Sequence, residues 1–246
     1  MYIFWIGIVL MGLIIGRAIR GKLLLKYPLF YLYLSYVFIQ SVICFAVFYW
    51  SKSNYARVYW TTESVAVILG CGVIWEIYTQ TLALYAGAAK LAKAALLVAM
   101  LIAVTRILIQ PRANRGTLFA GEITAELDRN MREIQAVFLS LILALLLYYS
   151  IPLGRNLKGM IAGYTLYIGA LIFGLAFRTY LRVEFQLAPV AYTSTLGIWC
   201  SSLWFYSPNP PPEPGSKVLS DYEAISEMSL KTISRAKRYL SRGERS

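Results

Sequence analysis

The chain contains no histidine, and only 12 Asp and Glu stand against 24 Lys and Arg in its 246 residues. Without an imidazole there can be no His-ligated haem, no His-bearing zinc site and no histidine general base. The scarce acids form no D-x-x-D or comparable metal-binding pair, and there is no G-x-S-x-G elbow. Cysteine is sparse too. Cys44, Cys71 and Cys200 fall in three different apolar runs, too far apart in sequence for a C-x-x-C pair, and read as small packing residues. The expectation is a chain with no resident cofactor or metal.

What the chain has in quantity is apolar sequence: 59% of residues are hydrophobic and 15% charged, with a mean hydropathy of +0.59. That composition lies outside ordinary soluble domains. Apolar runs fall at 1–16, 28–50, 60–85, 94–110, up to Tyr149, 157–177 and 185–206. Each is long enough, or nearly so, to cross a hydrocarbon core of about 30 Å as a helix that closes its own backbone hydrogen bonds. The expected fold is all-α, a polytopic membrane protein with a seven-transmembrane-helix bundle over residues 1–206. Gly159 and Gly163, four apart in the sixth run, are expected to admit a close neighbour, as could Gly12 and Gly16 in the first. Between the fourth and fifth runs, Ile123, Leu127, Met131, Ile134 and Phe138 recur at helical spacing, so the fifth helix should begin as an amphipathic segment carrying an Asp128–Arg132 pair.

Beyond the bundle, 207–218 is a proline-rich linker, and 219–246 reads as a basic amphipathic cytoplasmic helix opened by a Ser220/Glu223 capping box. Lys231, Arg235, Lys237 and Arg238 crowd its distal half and suit the anionic lipid of a cytoplasmic leaflet. The net charge of +12 therefore points to the bilayer and not to nucleic acid, because the basic residues cluster at the ends of apolar runs. Cations after the first run (Arg17, Arg20, Lys22, Lys26), with Lys90, Lys93, Arg155, Lys158 and those of the tail, outnumber the cations of the alternate segments. That bias orients the chain N-out and C-in.

Two carboxylates interrupt the third run, Glu63 near its outer end and Glu76 about 20 Å further along the axis. They face different neighbours and are not a paired acid/base site. For Glu63 the cations at matching depth are Arg106, Arg178 and Arg182, which predicts a structural ion pair. Glu76 has no basic residue at its expected depth, just past the midplane. Gly72, Thr79, Gln80 and Ala83 share its strip, with Gln40 and Thr165 at similar depth as hydrogen-bonding candidates. Glu76 would then either handle a proton, cation or polar ligand, together with Gln40, Gln80 and Thr165, or join a helix interface as a neutral hydrogen-bonding group.

Through Y-W-T-T-E at 59–63, W-E-I-Y at 75–78 and L-D-R-N-M-R-E-I-Q-A at 127–136, the chain resembles a family of uncharacterised seven-span bacterial membrane proteins. The resemblance implies one helix bundle in a bacterial inner (plasma) membrane and brings no activity with it. The leading expectation is a non-enzymatic sensor, scaffold or partner subunit that contacts the bilayer and another membrane protein. Its rivals are a small-solute or proton-coupled transporter using Glu76, and an enzyme acting on lipid substrates.

Overall fold

The structure, a computed structural model, describes residues 2–82, 94, 96–99, 101–102, 105, 120–149, 151–181, 187–210 and 227. Side chains are described at these positions except 2, 120–127, 149, 174–181 and 187–188. Among the described residues all regular structure is helical. It comprises α1 (Tyr2–Arg20), a 3-10 turn (Leu23–Leu25), α2 (Pro28–Trp50), α3 (Lys52–Thr81), α4 (Ala120–Tyr149), α5 (Arg155–Leu181) and α6 (Leu187–Leu203). Four of these hold stretches long and apolar enough to cross a membrane: Ile3–Arg20, Pro28–Trp50, Lys52–Thr81 and Asp128–Tyr148. The proline-rich linker beyond Pro210, the basic tail with Lys231, Arg235, Lys237 and Arg238, and the sites of Arg106 and Arg182 lie outside the described residues.

Local sequence explains the boundaries. α1 ends where Lys22 takes a left-handed conformation, φ 53°, which turns the chain into the 3-10 turn. Pro28 opens α2 with its fixed φ and no N–H to leave unpaired. Ser51 alone separates α2 from α3, its extended backbone reversing the chain while its N–H bonds Val47 O at 2.8 Å. α3 therefore starts eight residues before the expected 60–85 span and ends at Thr81. Its first two turns are the polar segment that the apolar pattern had assigned to a connection.

Side-chain contacts fix helix directions. Gln40 meets Glu63 and Phe30 meets Glu76, so α2 and α3 are antiparallel. Arg132 meets Glu63 and Phe138 meets Tyr78, so α4 runs parallel to α3. Asn156 bonds Ser202 O and Thr195 bonds Gly163 O, so α5 and α6 are antiparallel. Gly7 faces Tyr192 and Leu196 while Arg17 bonds Trp204 O, so α1 and α6 are parallel. One end of the bundle thus gathers Arg17, Lys26, Gln80, Arg155 and residues 204–209. The other gathers Phe45, Lys52, Glu63 and Asp128.

Between these ends lies an aromatic centre. The rings of Phe30 and Trp199 meet edge to face at 4.9 Å, Tyr164 stacks on Trp199 at 6.3 Å, and Tyr33 meets Tyr164 at 6.0 Å. α6 reaches this centre because α5 has no side chain in the way. A Cβ on Gly159 would overlap Ser202, and one on Gly163 would overlap the Trp199 indole. Gly12 and Gly16 have nothing within 4 Å of a Cβ, so that step receives no helix among the described residues. Outward faces are the reverse of a soluble protein's: Val9, Leu13, Ile39, Ile43, Ile68 and Leu141 are all exposed. Soluble monomers rarely expose contiguous apolar surface on that scale, and helices that meet lipid do.

Candidate functional site

Two buried polar arrangements hold the carboxylates, one at each end. At the basic end Glu76, 5% exposed, receives the N–H of Leu29 on Oε1 at 3.2 Å and that of Phe30 on Oε2 at 2.8 Å. A helix leaves its first N–H groups without intrahelical partners. Pro28 has none to offer, and the Tyr31 N–H bonds Tyr27 O at 3.1 Å. Leu29 and Phe30 are the two donors left over, and Glu76 takes both. The carboxylate also meets the positive end of the α2 dipole. No side chain of α2 makes this cap, since Tyr27 at the N-cap position offers no side-chain hydrogen bond.

This corrects the expected surroundings of Glu76. It lies level with the start of α2, and its counter-charge is a helix terminus. Gln40 is about 15 Å further along α2 and donates to Glu63. Thr165 Oγ1 is buried with no hydrogen-bond partner. Gln80 donates to Lys26 O at 3.1 Å, tying the end of α3 to the α1–α2 connection. Gln80 is at the Glu76 end, and among the described hydrogen bonds none from Gln40, Gln80 or Thr165 reaches the Glu76 carboxylate.

At the opposite end Glu63 is clamped by Arg132, which the sequence pattern places in the amphipathic start of the fifth helix. Arg132 Nη2 donates to Glu63 Oε1, while Gln40 Nε2 donates to Glu63 Oε2 at 2.9 Å. The Arg132 Nε reaches back one turn to Asp128, 2.9 Å from Oδ1 and 3.0 Å from Oδ2. Its guanidinium carbon stands 5.8 Å from the centre of the Tyr167 ring. The side chains of Arg132 and Glu63 are only 10% and 14% exposed, so this is an inter-helix ion pair removed from water.

The ion pair predicted for Glu63 is present with a different cation. Arg106 and Arg182, two of the expected partners, fall outside the described residues, as does the side chain of Arg178. The signal for Arg132 was available in its register. Met131, Arg132, Gln135, Phe138, Leu139 and Ile142 are all buried, three and four residues apart, so the arginine lies on the face of α4 that packs inward. Gln135 on the same face donates to Val67 O at 2.8 Å.

Between these residues lies a small cavity lined by Tyr33, Glu63, Ala66, Val67, Arg132, Gln135, Tyr164 and Tyr167. It has room for about one water molecule. Gly70 closes one side, where a Cβ would overlap the Tyr164 hydroxyl and crowd the Gln135 amide. The arrangement can lock α2, α3, α4 and α5 into one register and hold a bridging water. Among the described residues no group of three or more Cys, Asp or Glu could hold a metal ion, and the cysteines are unpaired.

No family model matches the chain, and neither a curated protein nor a solved structure matches it.

Proposed function

We propose that the chain is a seven-helix protein of the bacterial cytoplasmic membrane, N-terminus outside and C-terminus inside, that acts without enzymatic chemistry as a scaffold, sensor or partner subunit. Support for an odd number of crossings comes from the helix directions. α3 ends at the basic end, beside Lys26, while α4 brings Asp128 and Arg132 to the opposite end. These two placements support a further crossing, which the apolar run at 94–110 would allow. The gathering of cations at one end supports placing that end in the cytoplasm.

The observation that carries the functional reading is the occupancy of the carboxylates. Both acids of α3 are consumed by partners within the chain, and the cavity beside Glu63 is too small for a solute. A carrier or proton relay needs a polar group that can exchange partners along an accessible path.

The test is capture of a partner from native membranes. Photo-crosslinkers at the lipid-facing positions Trp5 and Leu141 of the full-length protein should yield one discrete membrane-protein adduct, lost or weakened on deletion of 217–246. Lipid adducts alone, together with solute or proton flux in proteoliposomes that Glu76→Gln abolishes, would replace this reading with a transporter.

A further inference from the structure

The basic end of the bundle carries cations that the helix packing does not consume. Arg17 from α1 and Arg155 from the first turn of α5 approach the same ring, with guanidinium carbons 5.7 Å and 5.9 Å from the centre of Phe205. Lys26, from the connection before α2, stands 5.3 Å from the centre of the neighbouring Tyr206 ring. Arg17 Nε donates to Trp204 O at 2.8 Å and Arg155 Nη2 to Phe205 O at 3.3 Å. These bonds hold both guanidinium groups beside Phe205, and each fork carries five N–H donors against one such hydrogen bond among the described residues.

Among the described residues no carboxylate forms a salt bridge with Arg17, Lys26 or Arg155. Glu76, at the same end, is already occupied by the start of α2. The opposite end is built otherwise, since there Arg129 pairs with Glu133 and Arg132 with Glu63 and Asp128. Among the described residues the salt bridges therefore lie at that opposite end.

The setting is interfacial. Trp204, Phe205 and Tyr206 are 39%, 59% and 47% exposed. The chain is pinned there: Asn156 Nδ2 bonds Ser202 O at 3.1 Å and Phe205 O at 3.0 Å, Asn156 Oδ1 takes the Ser207 N–H, and Asn209 Oδ1 takes the Gly154 N–H at 2.9 Å. The aromatic segment 204–206 is thus a fixed platform where polar and apolar surfaces meet. Two guanidinium forks match phosphate oxygens in geometry as well as charge, and exposed aromatic rings suit the headgroup level of a bilayer.

We infer that Arg17 and Arg155, brought together over Phe205 with Lys26 alongside, form a binding site for the phosphate of an anionic phospholipid headgroup. The site rests on the proposed orientation only in that the basic end must meet the anionic leaflet. It uses no residue of the tail 217–246, and its loss would leave partner capture unaffected.

The full-length protein in nanodiscs of phosphatidylcholine with about one third phosphatidylglycerol tests this, with lipid retained on detergent extraction read by native mass spectrometry. Phosphatidylglycerol should be retained in preference to phosphatidylcholine. Retention should fall about fivefold for each guanidinium removed, the weight of one basic residue at an anionic surface, and about 25-fold in R17Q/R155Q. The distal R57Q should behave as the unaltered protein. Arg155 is exposed and makes a single long hydrogen bond, so R155Q alone keeps the test open should the double variant misfold. Equal retention of the two lipids, or undiminished phosphatidylglycerol in R155Q and R17Q/R155Q, would overturn the assignment. Displacement of the lipid by millimolar inorganic phosphate would reassign the site to a free anion and overturn it equally.

Discussion

Replacing Glu76 with Gln separates two physical pictures by the sign of its effect on stability. The side chains are nearly isosteric, and the amide keeps one acceptor. It cannot serve both Leu29 and Phe30, whose N–H groups now meet separate oxygens at 3.2 and 2.8 Å. One of the two donors would face an NH2 group and stay unsatisfied in a buried setting, at a cost of about 1–3 kcal/mol. Loss of the charge at the N-terminus of α2 adds roughly 1 kcal/mol. Together the penalty is about 2–4 kcal/mol, which for a chain of this length lowers Tm by roughly 5–15 °C. Thermal unfolding of the purified protein in one fixed detergent measures it, and hydrogen exchange at the amides of residues 29 and 30 should quicken in parallel. Had Glu76 been a lone acid with nothing to balance it, removing the charge would relieve a desolvation penalty and raise Tm. An unchanged or higher Tm for E76Q would therefore refute the capping role.

Other perturbations carry their own expected outcomes. Arg132→Met should destabilise by about 3–5 kcal/mol, because it leaves the Glu63 charge buried and unpaired. Adding Glu63→Gln should recover part of that loss, and a double-mutant cycle on unfolding free energies gives the coupling. Gly163→Ala drives a methyl into the Trp199 indole and Gly70→Ala drives one into Tyr164, each costing about 1–3 kcal/mol. Gly16→Ala, with open space around it, should be neutral or gain up to about 1 kcal/mol from helix propensity. Cys71, buried at 2% exposure, should resist a maleimide in the folded protein and label fully after denaturation.

Six of the apolar runs coincide with helices among the described residues, and four of these helices hold stretches of membrane length. The Asp128–Arg132 pair and the close approach at Gly159 and Gly163 followed from spacing alone, since i, i+4 neighbours share a helix face wherever the helix lies. Two relations were not legible. Glu76 was matched against basic side chains, whereas its partner is the backbone at the start of α2, a partial charge that no residue letter records. Arg132 is not matched to Glu63 by the apolar pattern, because its partner lies on another helix; its register with Met131, Gln135 and Phe138 places it only on the inward face of α4. The one-residue reversal at Ser51 hid for a related reason. Apolar pattern marks the lipid-spanning part of α3, not the helix, which starts in polar sequence at Lys52.

The membrane arrangement is tested most directly by the sidedness of three points. In a background with Cys44, Cys71 and Cys200 replaced by Ser or Ala, single cysteines at Lys22, Asn54 and Asn209 would be labelled with a membrane-impermeant maleimide, in intact cells and in inverted vesicles. Asn54 should react only from outside, and Lys22 and Asn209 only in inverted vesicles. Labelling of Lys22 and Asn209 from opposite faces would contradict the architecture on which the other inferences rest, as would Asn54 reacting from the same face as Lys22.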